Sequence, residues 1–168
     1  GVSIGVLVRS RAHAVRLTRE LAAADIPFQG ADMESLDQHS VVQDLMALTR
    51  AIGHPADRMA WLAMLRAPWC GLTWSDLHHV ATGDRRVAVW ERLQDPAILA
   101  MLSPSGAARI ARLCAAVEPA LHPRAAWTLR DRVEFAWLRL GGPAGLVDAT
   151  AGELVAQFLD RRRDHAEV

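Results

Sequence analysis

The spacing of apolar residues changes character along this chain. Ile4-Gly5-Val6-Leu7-Val8 is an unbroken run of strand length, and unbroken runs suit a strand covered on both faces, as in the centre of a parallel sheet. Over 11–24 the pattern becomes helical, with Val15, Leu17 and Leu21 set among alanines. Ile26-Pro27-Phe28 then reads as a return to the sheet before Gly30. Beyond that point the strand signal disappears. Residues 41–52, 58–65, 107–121, 128–140 and 150–161 all carry helical spacing. In 107–121, Ile110, Leu113, Cys114, Val117 and Leu121 fall on one face. Breakers at His54-Pro55, Ala67-Pro68, Asp95-Pro96, Ser103-Pro104, His122-Pro123 and Gly141-Gly142-Pro143 cut the region into short helices. The expected fold is mainly α: a short β-α-β piece over 1–38, then a helical subdomain of several short helices over 39–168.

Composition narrows the class. The chain has 168 residues, about half of them apolar, and zero formal net charge. That is enough for one ordinary core and argues against disorder. No apolar run is long enough to span a membrane and no signal-peptide pattern opens the chain, so a soluble, cytoplasmic protein with no membrane partner is expected. Two cysteines, Cys70 and Cys114, make no disulfide framework and suit a reducing compartment. Every cationic side chain is arginine, and lysine, asparagine and tyrosine are absent. Their codons are A/T-rich, so this usage reflects a G/C-rich genome. Arginine abundance by itself therefore carries no functional weight, and neutral charge argues against a uniformly basic coat.

The stretch Arg66-Ala-Pro-Trp-Cys-Gly-Leu-Thr-Trp74 poses the clearest chemical question. A thioredoxin-like site needs a second thiol three residues after the first, and Thr73 stands there instead. What remains is a helix, a proline, a glycine turn and a new helix opened by Thr73, with Asp76 three residues on as a variant capping box. Such a turn offers backbone N–H groups at a helix N-terminus, where anions bind. His78-His79 lack metal-ligand spacing and read as helix surface. The six tryptophans, Trp74 included, at helical and mostly apolar positions such as Trp61, Trp90, Trp127 and Trp137, read as core packing. Asp44, Asp57 and Arg58 read as caps or ion-pair residues, and Arg161-Arg162-Arg163 as a solvated helix end.

Four segments occur in order over the first eighty or so residues: Val8-Arg9-Ser10-Arg11, Gln43-Asp44, His54-Pro55-Ala56-Asp57 and Pro68-Trp69-Cys70-Gly71-Leu72-Thr73. Together they resemble UvrD/Rep-type superfamily 1 DNA helicases, with HPADR and LRAPWCGL leaning toward the RecB-like, exonuclease V beta subunit-like branch. The resembling stretch leaves the second RecA-like motor domain and enters the helical subdomain inserted in it. The resemblance implies that Arg9, Ser10, Arg11 and His13 grip single-stranded DNA. It also implies that Gly71, Leu72, Thr73 and Ser75 rest on duplex phosphates through backbone amides. Arginine suits such a grip because it clamps phosphate or stacks on bases. The chain departs from the family pattern where Val8 replaces an aromatic, Arg11 an asparagine and Thr73 a second glycine.

With no lysine there is no phosphate-binding loop of the Gly-rich, Lys-Ser/Thr kind. The resemblance implies ATP and Mg²⁺ in a parent chain, while no cofactor is expected in this piece, which is expected to be inactive alone and excised from a longer protein. The expected function is that of a DNA-binding fragment of an ATP-dependent helicase or helicase-nuclease in repair or recombination. Its partners would be single-stranded DNA, single-strand/duplex junctions, the rest of the helicase chain and partner subunits. The alternative is a non-enzymatic helical protein-interaction module or an inactive helicase-like scaffold.

Overall fold

A computed structural model describes residues 4–9, 11–28, 39–122, 126–145 and 149–161, and the chain divides into two compact units, 1–38 and 39–168. The described residues are mainly α-helical.

Among the described residues of the first unit the helix is α1 (Arg11–Ala23), preceded by a segment without regular structure. Its end is closed by a left-handed residue, Asp25 at φ 53°. The Ile26 amide donates to the Leu21 carbonyl at 3.0 Å and the Asp25 amide to the Ala22 carbonyl at 3.2 Å, which is the Schellman arrangement. The expected β-α-β piece is not seen, because no strand pairing forms among the described residues. Residues 4–8 and 26–28 adopt no regular structure, and Ile4 and Leu7 are 86% and 102% exposed. A parallel strand needs a ladder neighbour and covered faces, and one helix with two short irregular segments supplies neither.

The second unit is built around α2 (Ser40–Gly53), which packs against α3 (Arg58–Arg66), α7 (Pro104–Leu121), α8 (Leu129–Arg139) and α9 (Ala149–Arg161). Being surrounded, α2 buries a broad stripe that includes Val42, Leu45, Leu48 and Ile52. The shorter helices α4 (Trp74–Ala81), α5 (Val89–Arg92) and α6 (Pro96–Leu99) connect α3 to α7.

Helix starts follow the breakers. Asp57 accepts the Ala60 amide at 3.0 Å and pairs with Arg50 at 2.7 Å, so it both caps α3 and forms an ion pair. Pro96 and Pro104 stand in the first turns of α6 and α7 behind the caps Asp95 and Ser103. Thr128 and Asp131 close a full capping box on α8. Helix α7 begins at Pro104, three residues before the apolar periodicity becomes visible, because the Ser103 cap and the proline define its first turn.

The variant capping box at Thr73 is only half realised. Thr73 Oγ1 accepts the Asp76 amide at 3.2 Å, but the Asp76 carboxylate turns away from the Thr73 backbone. It accepts from the Thr73 hydroxyl at 2.9 Å, and from the Ser103 amide and hydroxyl at 2.8 Å each. Ser103 in turn caps Gly106, where a Cβ would collide with Asp76 Oδ2. One buried carboxylate thus joins the starts of α4 and α7. Burial works to raise its pKa, but the Ser103 amide and hydroxyl, the Thr73 hydroxyl and nearby His79 outweigh it and hold it below the usual carboxylate value.

A carboxyl with a depressed folded-state pKa stabilises the fold above its unfolded value, near pH 3.9, and that contribution fades as pH falls toward the folded value. Asp76→Ala deprives three part-buried donors of their acceptor and is expected to cost about 1–3 kcal/mol in urea unfolding at pH 7. Asp76→Asn is expected to flatten the acid limb of stability below about pH 4.

Candidate nucleic-acid interface

Gly71, Leu72 and Thr73 lie in the connection between α3 and α4, and Ser75 follows on the first turn of α4. Arg9 and His13 are exposed in the first unit. Arg11 opens α1 there, and Ser10 lies outside the described residues. The expected residues therefore fall into two groups carried by separate units.

The connection forms because Pro68 follows the end of α3 and Gly71 takes φ +60°, a left-handed conformation that glycine adopts without steric cost. Cys70 and Gly71 donate their amides to the Ala67 carbonyl at 2.9 and 2.8 Å, and Leu72 donates to Leu65 at 3.0 Å. These N–H groups are consumed inside the turn, so the expected amide cradle at Gly71 and Leu72 is not available to a phosphate. The Thr73 hydroxyl is likewise committed to Asp76. Ser75 remains exposed on the first turn of α4.

The outward face of the turn is cationic instead. Arg109 donates through Nη1 to the Cys70 carbonyl at 3.2 Å and also to the Gly71 carbonyl. Arg112, one helical step further along α7, donates to the Trp69 carbonyl at 2.8 Å. The Arg66 guanidinium lies 4.7 Å from the centroid of the Trp74 ring. All three arginines are exposed, and none is in an ion pair among the described residues. Two arginines at i and i+3 on α7, off the face of Ile110 and Leu113, were the available signal in the sequence for two of the three members of this cluster.

On another side of the turn, a cleft of about 730 Å³ is lined by Trp69 and Arg112 together with Asp44 of α2 and Trp137 of α8. Asp44 makes no ion pair among the described residues and so does not act as expected. Burial raises its pKa, partly offset by Arg66. Arg58 donates to the Ala81 carbonyl, at the C-terminal end of α4.

His78 bonds to the Thr82 hydroxyl at 3.2 Å, and its ring stands edge-on to that of His79. No group of three His, Cys, Asp or Glu that could hold a metal occurs among the described residues, and no described helix is long and apolar enough to cross a membrane. No family model, curated protein or solved structure matches the chain.

Cys70 is a buried thiol beneath the arginines. Desolvation pushes its pKa up to about 11, against the pull of Arg112 and Arg109. Thiolate is the reactive form, so this cysteine is expected to be inert at neutral pH. Alkylation by iodoacetamide at pH 7.4, followed by mass spectrometry, should label Cys70 far more slowly in the native protein than in urea. Rapid native labelling would show that the turn opens.

Proposed function

We propose that this chain is a DNA-binding part of a superfamily 1 DNA helicase or helicase-nuclease, of the RecB-like kind, acting in repair or recombination. The observation that carries the reading is the convergence of Arg109 and Arg112 on one glycine turn, with Arg66 over Trp74 beside it, none of the three within ion-pair distance of a carboxylate among the described residues. Exposed guanidinium groups outside any described salt bridge, set over such a turn, suit the phosphates of a nucleic acid, which they bind without reading sequence. Contact at this turn runs through side chains, and through Ser75 beside them.

In the same reading Arg9, Ser10, Arg11 and His13 hold single-stranded DNA. The segments at 4–8 and 26–28 become strands of a RecA-like sheet supplied by a longer chain, whose motor domains bind ATP and Mg²⁺. A second reading, a protein-interaction module, is favoured by the exposure of Ile4 and Leu7, which leaves their segment open to pairing with another polypeptide.

Fluorescence anisotropy with a single-strand/duplex junction across a salt series separates the two. The slope of log affinity against log salt should fall by about one unit or slightly less for each phosphate deprived of its arginine. Arg109→Ala with Arg112→Ala should therefore lower it by close to two units, whereas lysine at both positions should retain most of it. Arg9→Ala with Arg11→Ala should lower it independently. Absence of salt-dependent binding by the wild type at low ionic strength would overturn the DNA reading and leave the protein-interaction module.

A further inference from the structure

Trp74 is the tryptophan that helical packing leaves outside. Trp61, Trp69 and Trp137 are buried, while Trp90 and Trp127 are half-buried against Trp61 and Phe135, with ring centroids 5.3 and 4.9 Å apart. Trp74 is 73% exposed, and its close neighbour is the Arg66 guanidinium over the ring. A cation at that position holds the indole in a defined orientation and leaves the rest of the ring in solvent.

The surroundings select among occupants. An apolar protein surface would ask for apolar neighbours around the indole. Trp74 instead stands between Thr73 and Ser75, on the turn that Arg109 and Arg112 hold from α7. An aromatic face among cations is the arrangement that binds single-stranded nucleic acid, where each base offers a π-face and each phosphate an anion.

We infer that Trp74, oriented by Arg66, stacks on an unpaired nucleobase, while the arginines of the same turn take the flanking phosphates. The inference rests on the DNA-binding reading and specifies the nucleic-acid structure that the turn selects: a junction with at least one unpaired nucleotide, in preference to a blunt duplex.

The test uses the 168-residue chain in anisotropy with three DNAs: a tailed junction, the same junction with an abasic nucleotide at the first unpaired position, and a blunt duplex. One stacked base contributes enough that Trp74→Ala should weaken the tailed junction about 5- to 100-fold. Trp74→Phe should recover most of that affinity, and Trp74→Ala should leave the salt slope unchanged. Arg66→Ala should lower the slope by about one unit or slightly less. The abasic junction should bind the wild type as weakly as Trp74→Ala binds the intact one, and the two changes together should cost no more than either alone.

Far-UV circular dichroism and thermal unfolding of Trp74→Ala should match the wild type, since the side chain fills no core space. Wild-type binding to the tailed junction that Trp74→Ala leaves intact, or a weakening that is just as large on abasic DNA, would overturn the stacking contact while sparing the DNA reading. Failure of the wild type to bind any of the three DNAs would overturn both.

Discussion

The carboxylate of Asp76 is the interaction on which the cationic turn depends. It is 2% exposed, and an isolated charge in that position would be strongly unfavourable. The cost is offset because each of its partners is a helix cap with a second duty: the Thr73 and Ser103 hydroxyls donate to Asp76 and accept an amide of the helix they open. Removing the charge would loosen two helix starts at once. One of those starts ends the glycine turn. The other begins α7, whose arginines reach back over that turn.

Side-chain donors also join helix ends: arginines serve the C-termini of α2, α4 and α7. Arg92 donates to the carbonyls of His79, Val80 and Thr82 behind α4, and Arg132 bridges the Ala120 carbonyl of α7 and the Ile52 carbonyl of α2. Helix C-termini carry unpaired carbonyls and partial negative charge, and a forked guanidinium can satisfy two of them from different helices. A chain of zero net charge with no lysine thus spends part of its arginine on joining helices. Arg66 differs from these, since it lies over an exposed indole.

Several features of this architecture were legible in the sequence because they are written locally. Ser103-Pro104, Asp95-Pro96 and Thr128 with Asp131 mark helix starts by their own chemistry, and the apolar stripe of α2 repeats over nearly four turns. The strands were misread because an apolar run records a preference for being covered, whereas a ladder needs a second segment in register. The arginine cluster was hidden by separation along the chain: Arg112 meets the carbonyl of Trp69, 43 residues earlier. Trp74 was assigned to the core with the other tryptophans because periodicity describes the middle of a helix. At a first turn there is no preceding turn to set a face, and exposure is decided by which neighbouring element passes by.

The turn reverses the polarity that its glycine suggests. A loop before a helix ordinarily presents amides outward, and an anion then approaches the backbone itself. Here the amides of Cys70, Gly71 and Leu72 fold back onto α3, which turns the carbonyls of Trp69, Cys70 and Gly71 toward α7 and draws Arg109 and Arg112 onto them. Each guanidinium has five N–H donors, more than these contacts use. Donors withdrawn from the backbone are thus replaced by donors on side chains, farther out and fully charged. A left-handed glycine and two arginines a helical step apart are sufficient to make that exchange. Its geometry is anchored by Asp76, which no outside ligand needs to touch.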